Sequence, residues 1–491
     1  MTAVAVYLLV VLPPLATVVV SLSPVRASVA TWCNLAAAVI ALVASAVLTG
    51  LTISLGPTVA WGGYLLLDPL GAWTVLCVAI VYLLSSLYAI QYMARETAPA
   101  RLPRFYALFA GFALTMFLAP TMNNPGLYWI AIELTTLVST FLVGFGETRE
   151  STEAAWKYII IVSAGITLAL MGTLLMYWAG TFVLGDRYDM TWASLTQAAA
   201  KGDDVVVELA FLLILVGYGT KVGLAPMHTW LPDAHSQGPT PVSAMLSGAL
   251  LNTAIVGIVR SLPVVEAVGR SGVGHGAMIL LGIASLAVAA LLIVRQTDTK
   301  RLMAYSSVEH MGVITLAFGF GGPLGVAAAL YHMVGHSLNK SLMFFGAGNA
   351  AIVHGTKHMD DIREVLRCSP VSGGLWLAGA VAITGAPPFA LFLSEFTTVR
   401  AGLASGWWPA AVAMLVLLLV IFVGFLNHFR SMYFEPRERV VVARSLGLLC
   451  LAPMWMALVP LLVLGVWWPA SLQHVFDAVA AGLLGAGGAT P

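Results

Sequence analysis

Residues Leu215–Met245 read LVGYGTKVGLAPMHTWLPDAHSQGPTPVSAM, an apolar helical run that carries a lysine, Lys221, and is then broken at Pro226. The proline removes a backbone donor, and Gly217, Gly219 and Gly223 loosen the turn around it. In hydrocarbon such a break survives only inside protein or beside water, because no lipid group can bond the freed backbone. The stretch therefore puts a cation and a discontinuous helix together in a protein interior at membrane depth.

Composition supplies the membrane. Of 491 residues 60% are hydrophobic and only 9% charged, and mean hydropathy is +0.93, far more apolar than a soluble domain. A net charge of +1 from 23 basic and 22 acidic residues leaves no basic face for nucleic acid. Cys33, Cys77, Cys368 and Cys450 stand alone, without a CxxC pair or a histidine at metal spacing, so no iron–sulfur, zinc or other cofactor is expected. The run from Ala3 to Leu22 has span length and no basic segment before it, and reads as a first span, not a cleavable leader.

Working outward, apolar runs near 3–22, 29–54, 70–93, 103–121, 125–146, 154–178, 206–225, 241–262, 275–296, 302–320, 323–350, 371–401, 407–433 and 446–468 predict an all-α polytopic protein of about fourteen transmembrane helices. Alternating sides then sort the basic residues. Arg26, Arg95, Arg101, Arg104, Arg149, Lys157, Arg295, Lys300, Arg301, Lys357, Arg363, Arg367, Arg430, Arg437, Arg439 and Arg444 share one side, and Arg187, Lys201, Arg260, Arg270 and Arg400 the other. The positive-inside rule makes the larger group cytoplasmic, with both termini outside a bacterial-type inner membrane. Two basic residues remain, Lys221 and Lys340, each deep in a span.

Those two lysines, with Glu133 and Glu395, are the buried charges that need a reason. Intramembrane ionisable groups are expensive and mark ion or proton routes by default. Glu133 lies in LYWIAIELTTLVSTFLVGF with Thr135 and Thr136 as its polar neighbours, and is expected to be protonated or to pair with a cation. Burial opposes a lysine's charge and a nearby carboxylate supports it, so Glu133 and Lys221 are expected to exchange pairing. His228, past the break, sits where it could pass protons to Lys221; seven residues from His235 across Pro232 and lacking a third ligand, it is not read as a metal site. In the eleventh span, YHMVGHSLNKSLMFF, His332, His336 and Lys340 recur at i, i+4 and i+8 and so share a helix face over about 12 Å, the spacing of a relay. The glycosylation-like triplet Asn339-Lys340-Ser341 is buried in that span and is rejected.

The twelfth span, WLAGAVAITGAPPFALFLSEFTTVRAG, repeats the pattern of the seventh: an apolar helix, a break from Gly385 to Pro388, and then Glu395. Two interrupted spans in corresponding halves are the pointer to an inverted repeat. The expected organisation is one membrane domain: residues 1–102 with helices 1–3, 103–262 as repeat one, 275–433 as repeat two, and 446–491 as a last helix and tail. Asp233, His235, Glu309 and His310, near the basic start of the tenth span, form a candidate cytoplasmic intake cluster or a solvated ion-pair group.

The segments GYGTKVGLAPMHTWLPDAHSQGPTPVSAMLS, DTKRLMAYSSVEHMG and HMVGHSLNKSLMFFGAGN resemble the antiporter-like membrane subunits of respiratory complex I and its relatives. IELTTLVSTFLVGFG, EAAWKYIII and GAPPFALFLSEFTTVRAG look most like the component F type of hydrogenase-4 complexes. The resemblance implies that Glu133 is the family's intramembrane glutamate, Lys221 its broken-helix lysine, His228 the histidine past that break, Lys340 the lysine after paired histidines, and Glu395 the charge near the outward exit. Where several relatives carry a lysine in the eighth span this chain has Asn252, which holds no proton, so the central link falls to water or the histidines. The implied function is proton translocation by a subunit without a redox centre of its own, assembled with other membrane subunits and a peripheral redox module. Exchange of sodium for protons, and a non-conducting scaffold for a redox partner, remain open at this point.

Overall fold

The computed structural model describes residues 1–185, 188–202, 204–436 and 446–485. Arg187, Arg437, Arg439 and Arg444, counted above for orientation, and the end of the 446–491 segment lie outside the described residues. An apolar chain that cannot bond its backbone to lipid closes it on itself, and helices dominate throughout. The helices α1 (Thr2–Leu22) and α2 (Ala27–Ser54) lead to a small antiparallel hairpin, β1 (Thr58–Ala60) against β2 (Leu65–Leu67), with Val59 opposite Leu66. Next come α3 (Pro69–Glu96), α4 (Leu102–Leu118), α5 (Pro125–Val143), α6 (Arg149–Leu184) and the short α7 (Trp192–Ala199). The predicted broken span is two pieces, α8 (Asp204–Val222) and α9 (Trp230–Gln237). A π-helical turn at Leu246–Leu250 joins α10 (Thr240–Met245) to α11 (Leu251–Ala267).

The second half runs α12 (Ser271–Ile293), α13 (Thr299–Phe320), α14 (Gly322–His354), α15 (Val365–Cys368), α16 (Pro370–Ile383), α17 (Ala390–Ala404), α18 (Trp408–Phe434), α19 (Leu448–Val466) and α20 (Ala470–Leu484). The fourteen apolar runs fold mostly as helix. Among the described residues, 11 helical segments are long and apolar enough to cross a bilayer. The others are α13 and α14, long but more polar, and the split pair α16 and α17. The hairpin and α20 have no counterpart in the sequence reading; α20 docks Phe476 edge-on to Trp73 at 5.3 Å.

Polarity in α13 and α14 is affordable because neither meets lipid over most of its length. Residues from Leu302 to Phe320 and from Gly325 to Ala350 are buried, including Glu309, His310, His332, His336, Asn339 and Lys340. By contrast α18 exposes Val412, Leu415, Val416, Leu419, Val423 and Leu426, the surface a helix turns to hydrocarbon. The α6–α8 seam is built on glycine. A Cβ on Gly217 would run into the backbone of Ala169, and one on Gly165 into Thr220, so the two backbones approach as only small residues permit. Gly217 thus serves close packing, and the loosened turn falls to Gly223 alone, whose φ is 82°.

Arg260 is not a free charge on the outer side. Its guanidinium makes a two-pronged bond to Asp68, Nη1 to Oδ2 at 2.8 Å and Nη2 to Oδ1 at 2.7 Å, and Nη2 also donates to Pro120 O at 3.0 Å. Asp68 meanwhile caps α3 by accepting from Gly71 N at 2.9 Å. One buried pair therefore ties the hairpin, α3 and α11 together. Arg260→Ala strands the Asp68 carboxylate, and we expect a loss of about 3–5 kcal/mol, read as a lowered thermal midpoint in detergent. The double variant Arg260→Met with Asp68→Asn, which keeps the cap on Gly71 N without a stranded charge, should recover part of it; an unchanged midpoint in the single variant would refute the role.

Candidate functional site

Lys221 stands next to the last residue of α8, wholly buried, where three helices meet. Its Nζ donates to Thr136 Oγ1 on α5 at 2.9 Å and to Tyr158 OH on α6 at 2.7 Å, and lies 4.9 Å from the Tyr158 ring centre. The Tyr158 hydroxyl in turn shares a 2.7 Å hydrogen bond with Ser139 Oγ. Glu133 turns away from the lysine: Ser163 Oγ donates to its Oε1 at 2.7 Å, and Oε2 has no partner. Glu133 and Lys221 make no direct ion pair among the described residues; each is bonded to hydroxyls of α5 or α6.

The break itself is closed by side chains. After Gly223 the Ala225–Pro226 peptide is cis, and the chain turns through a short 3-10 segment, Met227–Thr229, into α9. Ala225 N donates to Ser285 Oγ at 2.9 Å, and Trp230 Nε1 donates to Thr220 O at 2.8 Å. Ser285 satisfies an amide that would otherwise go unpaired in a low-dielectric interior, and Trp230 adds a second donor to Thr220 O, which Gly223 N also bonds at 3.2 Å. His228 is buried with its Nδ1 unpartnered, its ring 6.2 Å from that of Tyr305.

The four residues of the candidate intake cluster do not stay together. Asp233 pairs with Lys157 at 3.2 Å and with Arg301, an ion-pair group at the end of the helices. His235 is buried and stacked on Phe344 with neither ring nitrogen bonded. Glu309 and His310 lie ten or more residues into α13, about 16 Å along its axis. His310 belongs to the second half instead: its Nδ1 meets His332 Nε2 at 2.8 Å.

The relay face of α14 looks toward α13 and the π turn. His332 Nδ1 meets Ser394 Oγ at 2.9 Å, His336 Nε2 meets Ser247 O at 3.1 Å, and Lys340 Nζ donates to Ser306 Oγ. Asn252 donates through Nδ2 to Ser337 Oγ at 3.0 Å and to Met333 O at 3.1 Å, while its Oδ1 is unpartnered. Beside it, the hydroxyls of Ser247 and Ser307 share a 2.7 Å bond between the π turn and α13. Glu395, on α17, keeps Oε1 unpartnered and presses its carboxylate against Gly385 in the second break, where Pro387–Pro388 is cis.

Residues 123–421 match the family described as NADH:quinone oxidoreductase/Mrp antiporter, transmembrane. The chain belongs to this family. It is 37% identical over 424 residues to a hydrogenase-4 component F homolog of Methylacidiphilum infernorum, covering 85% of this chain and 88% of that one. It is 31% identical over 418 residues to NADH-quinone oxidoreductase subunit N of Desulforudis audaxviator, covering 83% and 81%. Among solved structures, its fold is similar to one in an archaeal membrane-bound sulfane sulfur reductase, with a TM-score of 0.87, 21% identity and 98% of both chains covered. The Mrp complex of a Dietzia species gives a TM-score of 0.87 at 18% identity, over 99% of this chain and 100% of that one. The chain is thus an antiporter-like, multi-pass membrane subunit, and its relatives are parts of multisubunit membrane complexes.

In this antiporter-like subunit the residues that sequence reasoning missed are hydroxyls. Tyr158, Ser139, Ser163, Ser306 and Ser394 each bond a titratable side chain or its partner, yet singly each looks like an ordinary polar residue in a span. They come from four helices, α5, α6, α13 and α17, so no spacing in the sequence groups them. The indole clasp on the break yields a test. Trp230→Phe removes one of the two donors to Thr220 O, leaving that of Gly223 N, and is expected to destabilise the subunit by about 0.5–1.5 kcal/mol, seen as a lower thermal midpoint. A midpoint equal to that of the parent would remove Trp230 from the closure of the break.

Proposed function

We propose that this subunit carries protons across the inner membrane through two linked half-channels, driven by a redox module on a neighbouring part of the complex. The observation that carries the reading is the setting of its two buried lysines. Lys221 and Lys340 are wholly enclosed and bonded only to hydroxyls, Thr136 and Tyr158 for one, Ser306 for the other. Among the described residues neither has a carboxylate within 4.0 Å to hold a fixed charge. A buried lysine in that state exchanges its proton readily, and the hydroxyls that bond it are the groups through which the proton arrives and leaves.

In this reading Glu133, bonded by Ser163, loads the first half and Lys221 receives through Tyr158 and Thr136. His228 serves the cytoplasmic side of Lys221. The centre is crossed by Asn252 with Ser337 and by the Ser247–Ser307 hydroxyl pair, which supports a path where a lysine is missing. His336, His332 and His310 continue with Lys340 toward Glu395 and the outside. Moving one charge against the membrane potential requires about 2.3 kcal/mol per 100 mV, hence the energy supplied by a partner. The two breaks, each followed by a short helix, support an arrangement of fourteen crossings with spans 4–8 and 9–13 as inverted repeats and both termini outside. The sodium reading leaned on Asp233 as well as Glu133; ion pairs with Lys157 and Arg301 occupy Asp233, which favours protons.

In vesicles containing the whole complex, Lys221→Met and Glu133→Gln are each expected to reduce coupled proton translocation at least tenfold with the complex still assembled. Tyr158→Phe should reduce it several-fold. Normal translocation in Lys221→Met would end the proposal, and dependence of the flux on sodium would replace protons with sodium. Orientation has its own test in intact cells: a membrane-impermeant maleimide is expected to label Ser54→Cys and to spare Ser23→Cys, and the opposite pattern would invert the topology.

A further inference from the structure

We infer that His310, His332 and Glu395 form an inhibitory binding site for a zinc-class divalent cation. One donor atom from each of the three lies within 4.8 Å of the others, and all three residues are buried. Three helices supply them, α13, α14 and α17, so no spacing in the sequence announces the set. Two imidazoles and a carboxylate are a donor set that zinc takes in preference to magnesium or calcium, with tetrahedral bonds of about 2.0–2.2 Å.

The hydrogen bonds define which lone pairs are free. Ser394 Oγ donates its hydrogen to Leu391 O at 2.8 Å, so its contact with His332 Nδ1, at 2.9 Å, is one in which the ring donates. His332 Nε2 then carries a lone pair and accepts from His310 Nδ1 at 2.8 Å. That leaves the lone pair of His310 on Nε2, which makes no hydrogen bond within 3.5 Å although the Ile383 carbonyl also faces the ring; Glu395 Oε1 is likewise without a partner. Two potential donor atoms are thus buried and unbonded, and His332 Nε2, the third, has the His310 bond as its contact. A cation at this point satisfies all three.

Access comes from the second break. Glu395 abuts Gly385, where the positive φ of 65° and the absent Cβ make room for its carboxylate, and the neighbouring Pro387 and Pro388 are exposed. The charges facing the site from α13 and α14 are Glu309, whose Oε2 is unpartnered and favours a cation, and Lys340, bonded to Ser306, which opposes one. A bound cation takes the lone pairs on which protons would travel, so it is expected to stop transfer in the outward half. That consequence rests on the proposed proton route; the binding itself does not.

The complex, purified with its partner subunits, is dialysed to equilibrium against buffered zinc chloride and its zinc measured by mass spectrometry. The expected result is one zinc per chain more in the parent than in Glu395→Gln or His310→Gln, with affinity at least tenfold weaker in both. His428→Gln, a histidine bonded to Ile293 O elsewhere on α18, should bind as the parent does. Zinc-edge X-ray absorption should report two imidazole nitrogens on the zinc lost in those variants, and thermal midpoints exclude misfolding. Equal zinc in parent and variants overturns the site. Binding that leaves proton translocation untouched overturns the inhibitory role and removes these side chains from the proton route; absence of binding in a complex that still translocates overturns the site alone.

Discussion

A helix cannot stop inside a membrane without leaving carbonyls and amides that lipid cannot bond. Everything distinctive about the first half of this protein follows from meeting that demand at Gly223–Pro226. Trp230 reaches back to Thr220 O, and Ser285 reaches in from α12 to Ala225 N. The closure is made by side chains from α9 and α12; Lys221 to Ala225 are buried, while Pro226 itself reaches the surface, so the lysine before the break is enclosed by protein. A continuous helix would need none of these contacts and would offer no reason for α9 to fold beneath α8.

The lysine is then held by what its neighbours can offer without a fixed charge. A carboxylate at contact distance would lock an ammonium in place, and breaking such a buried pair costs about 3–5 kcal/mol. Arg260 and Asp68 show that type of bond, and they act as a rivet. Lys221 has the opposite environment, two hydroxyls and an aromatic face, while Glu133 is occupied by Ser163 across the same helix pair. The chain thus holds its charges in two ways: a guanidinium bonded twice to a carboxylate in Arg260–Asp68, and an amine bonded to neutral hydroxyls at Lys221.

Much of this was legible in the chain because membranes reward simple patterns. The apolar runs are mostly helix, 11 helical segments being long and apolar enough to cross a bilayer among the described residues, and the breaks at Pro226 and Pro387–Pro388 fall where Gly and Pro cluster, since these residues act on the backbone locally. Asp233, His235, Glu309 and His310 look like one cluster in the sequence because all four fall near the predicted start of the tenth span. Position along a helix decides otherwise: His310 is carried about 16 Å inward by α13, while Asp233 stays with Lys157 and Arg301. The bonding hydroxyls were illegible for a different reason. A serine in a span is cheap, because it can bond its own helix carbonyl, as Thr135, Ser306 and Ser394 also do here; only packing reveals which of them also meets a lysine or a histidine.

Asn252 marks where such packing changes the meaning of a residue. As an isolated letter it is a lost lysine, a gap in the line of titratable groups. In place, it lies two residues past the π turn, and the wider turn opens the wall of the helix beside it. Ser337 Oγ donates to Gly248 O at 2.7 Å in that turn, and His336 meets the carbonyl of Ser247 from the same side. The hydroxyl of Ser247 is then turned to Ser307, next to the serine that binds Lys340. A lysine at position 252 would add a third wholly buried cation to a core that already holds two, at a desolvation penalty only a nearby carboxylate could offset. Joining the halves by neutral donors and acceptors around a π turn avoids that penalty, and it leaves the titratable charge at the two ends of the bridge.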